Sequence, residues 1–379
     1  MNRRVDEREW IQYQWDYLVA FLGGPARIEQ LAYETGAFSR RRKVESPGDL
    51  LRLILTWAVA ERSLEETALL AAESELADVS APALLGRFSR AETWLGAILG
   101  DLLGKRRDRV QFGSDVRLID ATSISCRGSD NTDRRVHLAL DLRSNRTTAV
   151  EISDRHGRET LERFELRAGE IVIADRGYDK RREVAYVARS GAYFVIRMGW
   201  SHLPLEDPSG EPFDLLGSLE RVPEAQAGEF AVQVRVGKEL LIPCRLVATR
   251  KSEPAAERSR QQILADARRH GNPRVDLRTL ETAGYVMVVT NLPAEVSPDS
   301  VLELYRLRWQ IELKFKTLKS VIHLGNPPTR RGELLNVYLM AKLIVALLIE
   351  EFVHRAESFS PWGYPLWPNS ELAADTPSA

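Results

Sequence analysis

The order of apolar runs between residues 116 and 198 constrains the fold of this chain more than any other feature. Five short runs predict β-strands, and an amphipathic segment at 181–190, closed by Gly191, predicts a helix before the last strand. The strands are expected at 116–120, 137–142, 147–153, 171–174 and 193–198. Three strands in succession, followed by strand, helix and strand, predict a mixed sheet with helices packed against it.

The residues before position 110 predict a helical region. Helices are expected at 50–60, 64–73 and 81–99. The last two follow Ser63 and Ser80, which are suitable N-cap residues, and they resemble a helix-turn-helix, although any helical bundle contains such pairs. Basic clusters at 40–43 and 105–107 flank the region and either neutralise phosphates or form solvated loops.

The composition changes after the last of these strands, which predicts an inserted, mainly β module over residues 200–283. Pro and Gly are frequent there, and a further buried strand and a long helix follow it. We expect strands at 230–236, 240–248 and 285–290, a polar helix at 254–270, and a helix capped by Ser297 that runs to about 321.

One apolar run, at 334–353, is long enough to span a bilayer. Asn336 and Lys342 interrupt it, and charged residues inside a membrane are unfavourable, so we expect a buried core helix instead. Residues 356–379 are rich in Pro and polar residues and predict a loosely ordered tail.

The composition is that of a soluble globular protein. The 379 residues are 44% hydrophobic and 28% charged. The net charge of -1 argues only against a protein with a wholly basic, histone-like surface. Cys126 and Cys244 are far apart, and the six His residues are scattered, so neither a disulfide framework nor a zinc site is expected. The N-terminus shows no signal peptide, and a reducing cytosol fits best.

The segment from Tyr305 to Lys319 predicts a helix with an unusual polar stripe. At helical spacing, Tyr305, Arg308, Glu312 and Lys319 fall within an arc of roughly 60°. Apolar shoulders separate this stripe from a second polar face, whereas an ordinary amphipathic helix has only one polar face. We expect the stripe to be recessed, where a carboxylate needs a metal or a cation. The alternative is an internal ion-pair network of Glu312 with Arg308 and either Lys319 or Lys316.

Two aspartates fit the same chemistry. Asp120 is expected to end one strand and Asp175 another, and carboxylates at the carboxyl ends of buried strands are common in active sites. Either one alone is more often a turn or cap residue. With Glu312 they form an acid triplet of the kind that Mg²⁺ requires, and two such ions would clamp the attacking and leaving oxygens of an in-line displacement at phosphorus. A covalent role for Tyr305 is disfavoured, because it would not need three acids.

These residues resemble the DDE transposases of the IS4 insertion-sequence group. The signature Y-x2-R-x3-E-x6-K is matched at every spacing by the four residues of the stripe, and LIDAT at Asp120 and ADRGYD at Asp175 resemble the family's other blocks. The likeness covers residues 116–353, with a looser likeness before them. The C-terminus is shorter than in many relatives, which places full transposition competence in question.

The resemblance implies an RNase H-like mixed sheet, with Asp120, Asp175 and Glu312 as catalytic metal ligands. It implies two Mg²⁺ ions, with Mn²⁺ as a substitute, and phosphate contacts from Tyr305, Arg308 and Lys319. Trp309, beside the stripe, either stacks on a base or packs, and packing is the favoured role. The partners implied are the terminal inverted repeats and target DNA, bound by a homodimer in the synaptic complex of a cytoplasmic, nucleoid-associated bacterial protein with no membrane partner.

The implied organisation has five segments. They are a helical DNA-binding region at 1–110, a first catalytic part at 111–199, a β-rich insertion at 200–283, a second catalytic part at 284–355 and a tail at 356–379. Two other functions remain open from the residues alone. One is a metal-dependent nuclease that does not join strands, and the other is a domesticated DNA-binding protein.

Overall fold

The computed structural model describes residues 7–107, 115–238, 240–271 and 274–357. The strands are β1 Val116–Ile124, β2 Arg134–Asp141, β3 Arg146–Asp154, β4 Ile171–Ala174, β5 Tyr193–Arg197, β6 Ala227–Val236, β7 Leu240–Arg250 and β8 Tyr285–Thr290. The helices are α1 Glu7–Phe21, α2 Pro25–Glu34, α3 Pro47–Ala60, α4 Leu64–Glu73, α5 Ala81–Phe88, α6 Glu92–Arg107, α7 Arg181–Arg189, α8 Leu215–Glu220, α9 Glu253–Arg269, α10 Leu277–Thr282, α11 Pro298–Arg306, α12 Trp309–Ser320 and α13 Gly332–Glu357.

All of these strands belong to one mixed sheet, in the order β3-β2-β1-β4-β5-β8-β7-β6. β2 and β3 are antiparallel, β1, β4 and β5 are parallel, and β8 returns antiparallel to β5. The central strands β4 and β5 are apolar and almost fully buried, as is typical of the parallel part of a sheet. This is the RNase H-like arrangement, so the predicted fold class is confirmed.

The segment between β5 and β8 extends this sheet. β6 and β7 form a long antiparallel hairpin, and β7 pairs with β8 from Arg245↔Thr290 to Arg250↔Tyr285. The alternating pattern predicted the hairpin correctly. It did not predict that the hairpin would continue the catalytic sheet, because the pairing of β7 with β8 depends on residues about forty positions apart.

Two compact units are distinguished. The helical unit contains the described residues of Met1–Arg109, Ile124–Asp133 and Thr317–Ala379, and the sheet unit contains those of Val110–Ser123 and Arg134–Lys316. The boundaries of these two units differ from those of the five segments predicted from the sequence. The five-part division stays a prediction. Residues 358–379 of the predicted tail lie outside the described part of the chain.

The core of the helical unit surrounds α13. Trp57, Phe88, Trp94 and Tyr338 are buried there, with Trp57 in ring contact with both Phe88 and Tyr338. By length and composition α13 could cross a membrane, but 67% of its most apolar window is buried, as in the core helix of a soluble protein. The prediction of a buried core helix is therefore confirmed.

Two predicted helices are each divided in the structure. The helix expected at 81–99 is α5 and α6, separated by a turn at Ser89–Ala91 that lets both Phe88 and Trp94 become fully buried. Ser63 caps α4 with a full capping box, as expected, whereas Ser80 makes no side-chain cap bond to α5. The helix expected from Ser297 to about 321 is α11 and α12, and Ser297 caps its start.

Candidate active site

The pairing of β1 with β4 places two aspartates side by side. The parallel register ends at Ile119↔Ala174, so Asp120 and Asp175 are the next residues on neighbouring strands. β4 stops there because the chain turns into a short 3-10 helix at Arg176–Tyr178. The expectation that Asp120 ends its strand is wrong, since β1 continues to Ile124, but Asp120 does follow the last residue paired with β4.

Arg308 lies among all three predicted acids. Its Nη1 is 3.9 Å from Oδ2 of Asp120 and 3.7 Å from Oδ2 of Asp175, and its Nη2 is 2.5 Å from Oε1 of Glu312. The Arg308 side chain is only 13% exposed. One guanidinium therefore brings the three carboxylates, which are remote in sequence, into one site.

Tyr305 completes this arrangement. Its hydroxyl donates a hydrogen bond of 3.1 Å to Oδ1 of Asp175, and Nε of Arg308 donates one of 3.1 Å to the same hydroxyl oxygen. Tyr305 is buried on α11, whereas Arg308 is in the connection to α12. The predicted convergence of Tyr305 and Arg308 with the acids is therefore present in the structure.

The break between α11 and α12 occurs at the site itself. Around Leu307 the backbone forms hydrogen bonds from residue i to i−3: Arg308 to Tyr305, Gln310 to Leu307, and Ile311 to Arg308. Such bonds tighten the helix to a 3-10 turn, which often marks a functional position. The stripe consequently does not follow one regular helix, as the sequence analysis assumed.

The electrostatics of the two aspartates differ. Burial raises the pKa of Asp120 to about 6, and the charges of Asp175 and Glu159 add to that rise, against the backbone amide of Ala121 and the charge of Arg308. The pKa of Asp175 lies below its usual value, because Arg308, the amide of Arg176 and the Tyr305 hydroxyl outweigh the effect of its burial. Asp175 therefore stays ionised, whereas Asp120 can take up a proton near neutral pH.

The recessed stripe is confirmed only at its first half. Tyr305 is buried and the Arg308 side chain is only 13% exposed, whereas the Glu312 side chain is 55% exposed and Lys319 is exposed as well. In the predicted shoulder of Trp309, Leu302 and Leu313, only Leu302 is buried, whereas Trp309 is 51% and Leu313 43% exposed. Lys319 belongs to the helical unit, where its aliphatic stem lies beside Gly325.

Trp309 lines an open cavity and does not pack in the core. It is 51% exposed, which is at odds with the packing role favoured from the sequence. The cavity has a volume of about 350 Å³, and its wall is strongly basic. The charged and aromatic residues of this wall are Arg250, Lys251, Tyr305, Arg306, Arg308 and Trp309.

Several residues near the acids were not found from the sequence. The charge of Arg197 acts on Asp175, and that of Glu159 acts on Asp120. Tyr178 is fully buried, and its hydroxyl has no hydrogen-bond partner among the residues that the structure describes. Arg197 ends β5, which neighbours β4. Residues at the carboxyl ends of neighbouring parallel strands lie at the same sheet edge, so this signal could have identified Arg197. Glu159 comes from an irregular segment that carries no sequence signal.

The donor set fits a hard divalent cation. In the part of the chain that the structure describes, no three acids or His are already spaced as a metal site. However, Asp120 and Asp175 share one nitrogen of Arg308, and Glu312 contacts the other. Carboxylate oxygens are the ligands that Mg²⁺ prefers. The guanidinium of Arg308 already lies where these carboxylates attract a positive charge.

Comparison with known proteins identifies the family of this chain. The sequence model described as the transposase DDE domain matches residues 111–348. The transposase for insertion sequence element IS421 of Escherichia coli is 34% identical over 358 residues, which cover 92% of this chain and 96% of that relative. The transposase for IS231C of Bacillus thuringiensis subsp. berliner is 24% identical over 373 residues, covering 86% and 76%.

A structural comparison matches a cryo-EM structure of the piggyBac transposase synaptic complex with hairpin DNA, with a TM-score of 0.49 and 11% identity over 93% of this chain and 76% of that one. The assignment rests on the family match and on the identity to the IS421 transposase across nearly the whole chain. This chain belongs to the transposase DDE domain family, within the IS4 group of insertion-sequence transposases.

Proposed function

We propose that Asp120, Asp175 and Glu312 form the active site of this transposase. A DDE transposase cleaves phosphodiester bonds at the ends of its element and joins the freed 3′-OH to target DNA. The observation that supports the proposal most directly is the position of Arg308, within 4 Å of carboxylate oxygens from all three acids.

The family uses divalent metal ions, and we propose two Mg²⁺ ions here, with Mn²⁺ as a substitute. When bound, they would neutralise the acids and polarise the attacking and leaving oxygens of the phosphodiester. Asp120 and Asp175 would hold them from the sheet, and Glu312 from α12. The exposed side chain of Glu312 is free to change rotamer, whereas the two aspartates are fixed by the strands.

Arg308 has two tasks in this proposal. In the ion-free chain its single positive charge offsets part of the repulsion among the three acids. When cations take over that role, its guanidinium is available to hold a phosphate oxygen of the cleaved strand, for which its planar fork of donors is well suited. The ion pair of Arg308 with Glu312, considered from the sequence as an alternative to a metal site, is thus the ion-free form of that site.

Tyr305 orients Asp175 and contacts phosphate. Burial, together with the charge of Asp175, raises the pKa of Tyr305 to about 12, so the hydroxyl stays protonated and donates its hydrogen bond. A protonated, hydrogen-bonded phenol is a poor nucleophile, which agrees with direct transfer by water and 3′-OH rather than a covalent protein–DNA step.

The DNA-binding surfaces proposed are the basic cavity beside Trp309 and the exposed Lys319. Trp309 is placed to stack on a base, and the α4–α5 pair in the helical unit retains its helix-turn-helix interpretation. We propose that two copies of the chain act together on paired ends of the element, in the bacterial cytoplasm and in contact with the nucleoid.

The decisive experiment compares purified wild type with Asp175→Ala and Glu312→Gln. Each is mixed with Mg²⁺, labelled DNA carrying the element's inverted repeats, and a target plasmid. We expect both variants to lose cleavage and joining while still binding the end DNA. The matched control is Glu303→Ala, an exposed acid of α11 away from the site. Product patterns identical to wild type in the Asp175→Ala reaction would refute the assignment, and cleavage without joining by wild type would favour the nuclease alternative.

A further inference from the structure

We propose that the sheet unit contains a second anion pocket, beside the acid cluster, that holds a backbone phosphate of DNA. The pocket has a volume of about 380 Å³, within the range of roughly 300–1,000 Å³ typical of ligand sites. Its basic lining residues are Arg176, Arg197, Lys251 and Arg258. The identity of the anion as DNA rests on the proposed function, whereas the anion-binding character rests on the pocket itself.

The four cations come from four different parts of the fold. Arg176 follows Asp175, Arg197 ends β5, Lys251 follows β7, and Arg258 is on α9. No Asp or Glu is among the residues that line the pocket. A concave surface assembled from separate elements, all of one sign of charge, concentrates the positive potential and attracts anions.

Three of these guanidiniums are not held by a hydrogen bond or ion pair in the described part of the chain. Arg176, Arg197 and Arg258 form no side-chain hydrogen bond or ion pair there, and the buried Nε of Arg197 has no acceptor. Elsewhere in the same unit, Arg235 pairs with Glu206 and Arg245 with Glu229. Arg197 is half-buried, where an unpaired charged donor is unfavourable, so an external anion would satisfy its Nε. Arg176 and Arg258 are exposed, and their donors are available to the same anion.

Lys251 is held in a position from which it can also bind the anion. Its Nζ donates hydrogen bonds of 2.9 Å to Oγ of Ser259 and 2.8 Å to the carbonyl of Ala283. An ammonium has three donors, so one remains for a ligand. Burial lowers the pKa of Lys251, and the neighbouring charges of Arg197 and Arg176 lower it further, as expected when like charges share a site without an anion.

The pocket adjoins the cavity beside Trp309. Lys251 and Ala255 line both, so a continuous basic surface runs from Arg308 past Lys251 to Arg258. A DNA strand whose scissile phosphate lies at the acids would present a further phosphate to this pocket. Spaced cations facing successive phosphates are the usual means by which proteins fix the register of DNA.

The test is the salt dependence of DNA binding, measured in EDTA so that no cleavage is needed. Arg258 is suited to it because its side chain is exposed and unpaired, so Arg258→Ala and Arg258→Glu are expected to fold normally. The matched control is Arg268, which is exposed on the same helix but outside the pocket. Thermal melts of all variants check the fold.

We expect Arg258→Ala to weaken binding about three- to tenfold at physiological salt and to lower the salt slope by about one, with a larger effect for Arg258→Glu. Arg268→Ala should leave both unchanged. One arm uses the end duplex and the other uses target duplex added to preformed end complexes, so the arm that loses affinity identifies the DNA held by the pocket.

Equal behaviour of the Arg258 and Arg268 variants in both arms would overturn the proposal. That outcome is distinct from failure of the proposed active site. The binding readout does not involve Asp175, whereas the cleavage assay of Asp175→Ala does not involve Arg258.

Discussion

Two clusters of charged side chains, one in each unit, are built on opposite principles. In the helical unit, Glu61 is surrounded by Lys342, His323 and Arg127. In the sheet unit, Arg308 is surrounded by three carboxylates. The first cluster has more cations than acids and the second has more acids than cations.

The cluster in the helical unit is internally satisfied. Lys342 is 1% exposed, and its Nζ donates to Oε1 of Glu61 at 2.9 Å and to the carbonyl of Ile322 at 2.6 Å. These hydrogen bonds and charges hold the pKa of Glu61 below its usual value in spite of burial. Glu61 is the left-handed C-cap residue of α3, and Nδ1 of His323 lies 2.9 Å from its Oε1. Such a cluster specifies a fold.

The cluster at the sheet edge is left unbalanced. Burial keeps the pKa of Asp120 near 6, and one arginine serves three acids. A perturbed carboxylate in an open, charged site is the feature expected of function, whereas a satisfied pair is expected of structure. The comparison therefore teaches that the direction of the charge imbalance, and not burial alone, separates the two roles.

Replacing Arg308 should give the largest effect. Arg308→Gln removes the cation shared by the acids, so the cleavage rate is expected to fall on the order of 10²- to 10³-fold, as when one transition-state donor is lost. Its thermal stability should also fall in EDTA and recover when Mg²⁺ is added. Single-turnover cleavage and melting curves measure both, and a stability loss that Mg²⁺ does not restore would remove the distinction between the clusters.

Glu61→Gln should act on stability only. It leaves Lys342 buried without an opposite charge, and breaking such a pair costs about 3 kcal/mol or more. Urea denaturation followed by circular dichroism measures the loss, and Mg²⁺ should not restore it. Adding Lys342→Met should recover more than half of the free energy of unfolding. If the double variant is no more stable than Glu61→Gln, the pair is not a self-contained structural unit.

Asp120→Asn should stabilise the ion-free protein. The folded-state pKa of Asp120 is raised to about 6, so the folded chain binds a proton more tightly than the unfolded chain. The cost of burying the charge is absent below about pH 4, grows as the pH rises to about 6, and is complete above that. In EDTA at pH 8 the variant should gain on the order of 2 kcal/mol.

At pH 4 that gain should vanish, and the activity with Mg²⁺ should be lost at every pH. Melting curves across this pH range measure the effect, with Asp130→Asn, an exposed acid, as the control. A gain that is the same at pH 4 and pH 8 would show that Asp120 does not carry the charge assigned to it.

Lys319→Ala should have the smallest effect. As a single exposed phosphate contact it should lower the salt slope of end binding by about one and weaken binding several-fold without changing the fold. Lys238→Ala, at the exposed turn between β6 and β7, is the matched control. An unchanged slope would remove Lys319 from the DNA-binding surface.

Much of this architecture is accessible from the sequence because it depends on local patterns. The apolar patterns of β1 to β5 predicted that Asp120 and Asp175 follow neighbouring strands. Helical spacing predicted that Tyr305 and Arg308 lie close together. The exposure of Glu312 was not predictable, since it depends on whether another element covers α12. The basic pocket was also hidden, because its cations are adjacent only after β7 pairs with β8.

The pairing of β7 with β8 also bears on how tightly such an enzyme holds its DNA. The strands with the acids and the hairpin leading to α9 belong to one continuous hydrogen-bonded sheet. If the proposed pocket holds a backbone phosphate, exchanging solvent-facing side chains of α9 would tune affinity and register without moving the acids.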